Sequence, residues 1–369
     1  MLEEAAADQE TAAAPATLIF TALYWRSAWK YRSRAYRYCF WDAGTMAAHA
    51  LALATALSLP ARLITAFIDA LVEQLLGLDR KEEGVLFLMP LGRASSPPLP
   101  APPLSPLPVH ALPLSQREVD YPLISQMHTA SALETREEVE RWRDRISPLP
   151  PLEDAPLFPL PSLSAVQSSS SPLGEVILKR GSTRRFLPES IPLSALATLL
   201  TAGSGEIEAD FLPGRGSLVH SYLISNGVQG LPSGAYVFHP ARHGLQLLRE
   251  GSFRQEAGYL CLEQPLGATA SVVIFFLADF DALLERYGNR GYRVAQLEAG
   301  IRGGRLYLAA YALGLGATGL TFYDDVVVEF FSPHAQGKIP LLAVAIGVPA
   351  PIKRSRIVPL RPDRTPGTF

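Results

Sequence analysis

Cysteine is scarce in this chain: two residues in 369, Cys39 and Cys261, far apart in sequence. That excludes a disulfide framework and a cysteine-based metal site, and it fits a reducing compartment. Charge is scarce as well. At 18% charged residues and a net charge of −2, there is no electrostatic basis for binding nucleic acid or an anionic membrane. Long hydrophobic runs are missing. The longest, Met46 to Leu59, contains His49 and is too short to span a bilayer. The first residues, MLEEAAADQE, are acidic where a signal peptide is basic. A cytoplasmic protein is expected. The 48% hydrophobic content allows ample core, and the length allows two or three domains.

What the chain does have is a repeat. Arg286–Ala317 (RYGNRGYRVAQLEAGIRGGRLYLAAYALGLGA) aligns without gaps on Lys30–Ala61 (KYRSRAYRYCFWDAGTMAAHALALATALSLPA). Tyr31/Tyr287, Arg34/Arg290, Tyr36/Tyr292, Arg37/Arg293, Gly44/Gly300 and Leu59/Leu315 are identical pairs. Phe67-Ile68-Asp69 then parallels Phe322-Tyr323-Asp324, and the strand-like 88–92 parallels 343–347. Two distant copies imply two related modules rather than a short-period solenoid.

In the second copy, Leu297, Ile301, Leu308 and Leu313 sit near helical spacing, which predicts a helix over about 294–313. Gly300, Gly303 and Gly304 leave one face nearly bare at about 1 kcal/mol per glycine. Something must approach that face closely, either another helix or a flat ligand. Gly314 to Gly319 matches GxGxxG, but the match follows a helix and opens a strand, the reverse of a dinucleotide fingerprint.

Along the chain, residues 1–20 are Ala/Glu/Thr-rich and expected to be disordered. Residues 21–92 form a first, incomplete module. Residues 93–172 read as a proline-rich linker carrying one short helix from Ser131, a candidate N-cap, to Ile146, with its Glu/Arg-rich face in solvent. The second module occupies 173–369. It is expected to hold a helix over 194–201, a strand over 218–224 and a hairpin of 234–239 with 244–248. A helix over 253–263, a central strand over 271–278, a helix over 279–287 and strands over 317–322 and 341–347 follow. This irregular alternation indicates an α+β fold with a mainly antiparallel sheet.

The densest cationic cluster is Arg180-Gly181-Ser182-Thr183-Arg184-Arg185-Phe186. Guanidinium groups and a hydroxyl suit a phosphate, although a solvated basic loop has the same composition. Pro213-Gly214-Arg215-Gly216-Ser217 precedes a strand, and glycines there either admit a ligand to the backbone or simply make a turn. Lys353-Arg354-Ser355-Arg356 reads as an anion contact or a charged tail. His239 and His243 lack a third metal ligand, Asp324-Asp325 suits a helix N-terminus, and no Ser/His/Asp triad can be ordered.

In order along the chain, RGSTRRF, PGRGSLVHSYLI, GLPSGAYVFHPARHGLQLL, RYGNRGYR, EAG, ALGLGATGLTFYDD and AVAIGVP resemble the segments of the nitroreductase-like flavoenzymes, and within them the SagB-type dehydrogenases. The resemblance covers 173–351 in full and 24–92 as a C-terminal half-module. It implies a tandem nitroreductase-like fold, with non-covalent FMN at an interface between two like modules, as a homodimer or an intrachain pseudo-dimer.

By this resemblance Arg180 and Ser182 contact the phosphate and ribityl chain, and Arg184 lies near N1 and O2 of the ring. Pro213, Gly214 and Gly216 line the ring, the backbone of Gly319, Leu320 and Thr321 approaches N5, and Lys353, Arg354 and Arg356 add phosphate contacts. The implied reaction is oxidation of thiazoline or oxazoline rings in a peptide to azoles, with cyclodehydratase-type partner proteins. Alternatives are a non-catalytic scaffold subunit and a general NAD(P)H-dependent nitro or quinone reductase. A Lys-Tyr pair begins the repeat in azoline-oxidising relatives. Here Lys30-Tyr31 and Arg286-Tyr287 hold that place, and a phenol beside a cation is a candidate base for the Cα proton. The sequence departs from the family pattern at Gly214, Ile301, Gly304-Arg305 and Thr321, where serine, histidine, Gln-Asn and glycine are common.

Overall fold

The computed structural model describes residues 2–94, 112, 114–147, 150, 152–162, 171–212, 214 and 216–351. Most of the proline-rich linker, Pro213 and the basic group Lys353, Arg354 and Arg356 lie outside the described residues.

The first module runs through α1 (Leu2–Ala6), α2 (Gln9–Ala13), β1 (Ala16–Leu23), α3 (Trp25–Tyr31), α4 (Ala35–Ala56), α5 (Asp69–Leu76) and β2 (Glu83–Leu91). The start is therefore built, where disorder was expected. Ala5 and Ala6 are fully buried, the Ile68 amide donates to Ala5 O at 2.8 Å, and Asp8 caps α2 through the Thr11 amide at 2.8 Å. Alanine-rich composition resembles disorder, yet small side chains are what lets α1 lie against α5. β1 pairs antiparallel with β2 along its whole length.

α6 (Pro122–Ala130) and α7 (Arg136–Arg145) follow, and β3 (Phe158–Pro159) joins the large sheet. The expected linker thus carries two helices packed into the core. Ser131 is not an N-cap: its hydroxyl donates to Met127 O at 2.7 Å and closes α6. Thr135 caps α7, accepting from the Glu138 amide at 3.2 Å. Val139 and Trp142, three residues apart, share one face and are buried. Trp142 Nε1 donates to Tyr287 O at 2.8 Å, and Arg143 donates to Ala6, Ala7 and Ala66 carbonyls. α7 therefore straps the two modules together.

The second module comprises α8 (Leu173–Lys179), β4 (Phe186–Leu187), α9 (Leu193–Ser204), β5 (His220–Ser225), β6 (Gly234–His239), β7 (Gly244–Glu250), α10 (Arg254–Leu260) and α11 (Pro265–Thr269). It continues with β8 (Val272–Asp279), α12 (Phe280–Tyr287), α13 (Arg290–Ala312), β9 (Gly316–Leu320), α14 (Asp324–Phe331) and β10 (Lys338–Pro349). The sheet order is β3-β7-β6-β5-β8-β10-β4, with β9 also on β10, and every pairing is antiparallel. β8 is buried on both faces except at Asp279, as its unbroken apolar run requires when helices cover both sides. The fold is α+β with an antiparallel sheet flanked by helices.

The repeat is visible in space. β1–α3–α4–α5–β2 repeats β8–α12–α13–α14–β10, with Ala16 standing where Val272 stands. α4 and α13 run side by side in the same direction, since Trp41 bonds Gln296, Gly44 meets Gly300 and Ala48 meets Gly304. The glycine face serves this helix contact. A Cβ at Gly300 would lie 2.8 Å from both Phe40 O and Trp41 O, and one at Gly44 would lie 2.6 Å from Leu297 O.

Two ion clusters relate the modules crosswise. Asp69, fully buried, takes Arg290 at 2.8 Å and Arg293 at 3.0 Å, and accepts from the Leu133 amide at 2.9 Å. Burial would raise its carboxyl, but the two guanidinium groups outweigh it and lower the pKa to about 2. Its counterpart Asp324 takes Arg34 and Arg37, each at 2.7 Å, with 28% of the aspartate side chain exposed. Each module's arginines hold the other module's aspartate.

Candidate functional site

The Arg180 loop leaves α8 and lies between α4 and the C-terminal half of α13. Arg180 Nε donates to His49 Nε2 at 3.2 Å, and its guanidinium carbon stands 5.4 Å from the Tyr307 ring centroid. His49 Nδ1 lies 2.6 Å from Thr45 O. A carbonyl only accepts, so Nδ1 carries the proton and Nε2 offers the lone pair that Arg180 uses. Burial lowers the His49 pKa and the Arg180 charge lowers it further, although the Thr45 bond opposes both. The imidazole is therefore neutral near pH 7. Thr183 fixes the loop to the second module: its amide donates to Ala317 O at 2.9 Å, and its hydroxyl meets the Tyr311 hydroxyl at 3.3 Å. The Gly319 amide donates to the Tyr307 hydroxyl. One tyrosine thus joins Arg180 to the β9 backbone. Ser182, Arg184 and Arg185 are exposed beside it, presenting cations and a hydroxyl toward solvent.

Beyond β9, Phe322 packs against Trp41 at 6.1 Å between centroids, and the Arg37 guanidinium lies 5.3 Å from each of those rings. Tyr38 stacks on Trp41 at 4.5 Å and meets Tyr31 edge-on at 4.6 Å. Lys30 Nζ stands 5.0 Å over the Tyr31 ring, which is half-buried. A chain of ring contacts, Tyr31–Tyr38–Trp41–Phe322, therefore links the first module's Lys-Tyr pair to the residue that follows Thr321. Arg180, Thr183, His49, Tyr307 and β9 are joined by direct contacts that cross between the modules.

The equivalent turn in the first module is occupied by a carboxylate. Thr65 and Ala66 correspond to Leu320 and Thr321. Their amides both donate to the Asp210 carboxylate, at 2.9 and 2.8 Å, and the Thr65 hydroxyl adds a bond of 2.7 Å. No carboxylate sits on Leu320 or Thr321 among the described residues. The counterpart of the Arg180 corner is a cleft of about 360 Å³. There Leu51 and Thr55 replace Tyr307 and Tyr311, and Arg305 replaces His49. Arg305 is spent on the Gly205 and Glu206 carbonyls, each at 2.7 Å.

Other expected site residues are not brought to the Arg180 corner. Gly214, at φ +60°, is a turn glycine with open space around it. The segment of Gly214 and Gly216 is anchored by Ser217 Oγ to Glu298 at 2.7 Å and by the Leu218 amide to Glu298 at 2.8 Å. Glu298 precedes Tyr307 by two and a half turns, so it lies about 14 Å back along α13 and on the opposite side. Gly214 and Gly216 are thus held on the Glu298 side of α13, away from Tyr307 and Arg180.

Tyr287 is buried completely and donates to Phe211 O at 3.2 Å. Burial pushes its phenol well up, Glu298 raises it further, and Arg286 only partly opposes them. Arg286 donates to Ser147 Oγ at 3.3 Å. Both side chains of this pair are engaged by the protein, and the Tyr287 phenol is held inside the core. Asp69, Glu73 and His128 gather within 4.8 Å, but both Asp69 oxygens face arginines and both Glu73 oxygens accept from Arg80. Arginine already fills the role a cation would play there. His49, Asp42, Tyr307 and Asp210 escaped sequence reading. Asp42/Glu298 and His49/Arg305 were readable as repeat pairs of one polarity.

No helix among the described residues is long and apolar enough to cross a membrane. The family model for the nitroreductase family matches residues 2–93 and 177–348, which spans both modules. A crystal structure from Anabaena variabilis, itself named among the nitroreductases, is similar over 95% of this chain and 72% of its own, with 27% identity and a TM-score of 0.76. The Methanocaldococcus jannaschii protein MJ1384, also named among them, is 29% identical over 181 residues, 47% of this chain and 90% of its own. With the family model matched across both modules, the chain belongs to the nitroreductase family.

Proposed function

We propose that the protein is an FMN-dependent oxidoreductase with one cofactor place per chain, where the Arg180 loop meets α4 and α13. The supporting observation is the contrast between the two equivalent backbone turns. At Thr65 and Ala66 the turn binds a pair of carboxylate oxygens from Asp210, so this local geometry suits an acceptor-bearing group. At Leu320 and Thr321 the same turn lacks that carboxylate and lies beside the arginine cluster. Arg180, oriented by His49 and Tyr307, would hold the phosphate, and the exposed Arg184 is free to turn toward the ring's N1 and O2. FMN, when bound, accepts a hydride. A cation near N1 favours the charge that develops.

The substrate reading is a thiazoline or oxazoline in a peptide, which loses a proton from Cα and a hydride from the neighbouring ring carbon. Tyr31, with Lys30 beside it, takes the proton. This moves the base from the second module to the first, because Tyr287 is sealed in the core. Protein purified with added FMN and desalted should show a flavin spectrum at one equivalent per chain. Arg180→Ala with Arg184→Ala should lose it while circular dichroism stays unchanged. A colourless wild-type protein, or two tightly held flavins per chain, would overturn the reading.

A further inference from the structure

The turn that joins the short helix to the long one has the same backbone in both copies of the repeat. In the second copy α12 ends at Gly288, with φ +59° and ψ −157°. In the first copy α3 ends at the equivalent Arg32, with φ +52° and ψ −139°. That region favours glycine, because a Cβ crowds the backbone there. An arginine in this conformation is strained, and strain of this kind gathers at binding and catalytic positions. No internal contact of Arg32 accounts for it. Its side chain is exposed and makes no hydrogen bond or ion pair among the described residues.

Arg32 stands in a run of exposed cations. Arg26 and Lys30, on α3, are exposed and also lack a carboxylate partner among the described residues. Trp29 lies between them in sequence with 63% of its surface exposed, its indole Nε1 donating to Arg26 O at 3.1 Å. Arg34 donates to the Phe322 carbonyl at 3.3 Å and pairs with Asp324 at 2.7 Å. It thereby anchors the run beside the residue that follows Thr321. The second copy has no such patch: Ala282, Glu285, Arg286 and Gly288 stand where Arg26, Trp29, Lys30 and Arg32 stand.

We infer that Arg26, Trp29, Lys30 and Arg32 form a recognition patch for an acidic polypeptide segment. Three cations without counter-ions suit carboxylates or phosphates, and the surroundings choose between them. Glu82, whose carbonyl accepts from the Tyr24 amide at 2.9 Å, is exposed beside the start of α3, and Asp325 is exposed next to Asp324. A uniform polyphosphate or an anionic membrane surface meets those carboxylates along with the cations. A peptide with spaced carboxylates sets neutral residues against them, and one of its apolar side chains covers Trp29. The chain's own residues outside the described set do not fit this patch. They carry a single acidic side chain, Asp363, close between Arg361 and Arg364.

The test uses the full chain without FMN, so it stands or falls separately from the flavin reading. The probe is fluorescein-labelled ELEGELEG, with QLQGQLQG as its uncharged control. Fluorescence anisotropy should show saturable binding of the acidic peptide alone, weakened by added salt. Arg32→Gly should weaken it about threefold to fivefold, the share of one exposed ion pair. The same variant should melt at a higher temperature, because the strain is relieved. Gly288→Ala should melt lower, since its Cβ has no atom within 4 Å and only the backbone opposes it. Arg26→Gln should add to the loss caused by Arg32→Gly, and Trp29→Ala should weaken binding as well. Arg141→Gln, at an exposed arginine on α7, should leave the affinity unchanged. Absence of saturable binding, equal binding of the two peptides, or equal affinity of wild-type protein and Arg32→Gly would overturn the inference. So would an equal loss with Arg141→Gln, or a lower melting temperature for Arg32→Gly. Displacement of the peptide by phosphatidylserine vesicles or a thymidine oligonucleotide at matched charge would also overturn it, because the patch would then prefer phosphate. Sedimentation showing a dimer that Arg32→Gly dissociates would do the same, by giving the patch to a second copy of the chain.

Discussion

Replacing Asp69 by asparagine tests the crosswise ion clusters, and the same change at Asp324 is its internal control. Asp69→Asn keeps the shape and removes the charge, leaving Arg290 and Arg293, each 2% exposed, without a counter-ion. Breaking a buried pair from one side costs about 3–5 kcal/mol. The titration of Asp69 gives a second route. Its folded pKa of about 2 against an unbound 3.8 corresponds to about 2 kcal/mol of preference for the charged form. The Arg290 pKa falls to about 10 because burial exceeds the help from Asp69. That guanidinium is still charged at pH 7 and loses its main support in the variant. At Asp324 the aspartate is 28% exposed and Arg34 46% exposed, so solvent reaches the carboxylate although Arg37 is only 9% exposed, and a smaller loss of about 1–2 kcal/mol is expected. Urea unfolding at pH 7 should therefore show a larger loss for Asp69→Asn than for Asp324→Asn. The pH dependence follows from the sign of the shift. A depressed carboxylate stabilises the fold above its unfolded pKa, and that stability drains away as pH falls from about 4 toward 2. The Asp69→Asn variant should lack this share of acid sensitivity. Equal losses at the two sites, or a loss below about 1 kcal/mol at Asp69, would refute the reasoning.

In an azoline-peptide turnover assay, Tyr31→Phe should cut the rate by about 10² to 10⁴ with FMN still bound, whereas Tyr287→Phe should act on stability alone; the reverse pattern would return the base to the second module. Gly300→Ala should lower the melting temperature although it gains about 1 kcal/mol of helix propensity, because its Cβ meets two backbone oxygens at 2.8 Å. Gly174→Ala in α8 has no atom within 4 Å and should stabilise, so a rise in both variants would contradict the close helix contact.

Much of this architecture was readable from local pattern. The helix of the second repeat, the central strands β8 and β10 and the hairpin β6–β7 follow from spacing and turn chemistry, because each element's own residues decide them. The repeat pairs also announced two like modules. Local pattern failed where a segment's partner is remote. Residues 2–20 contain few large apolar groups, yet fold because α5 and β2 cover them. α7 has only Val139 and Trp142 for its inner face, too few to distinguish a core strap from a linker helix.

The candidate site divides the same way. The Arg180 cluster is a contiguous run and was legible as such, and so was the tyrosine beside each cation. Which tyrosine is more open is a matter of burial: Phe211 O and Trp142 enclose Tyr287, while Tyr31 is half-buried. The separation of Gly214 and Gly216 from Arg180 comes from the length and turn of α13, which places contacts two and a half turns apart on opposite sides. Identical repeat positions acquire unlike roles because burial and hydrogen bonding depend on what covers them. Asp210 folds over the turn that follows the first copy, Ser217 folds over the helix of the second, and the positions equivalent to each are left without that cover.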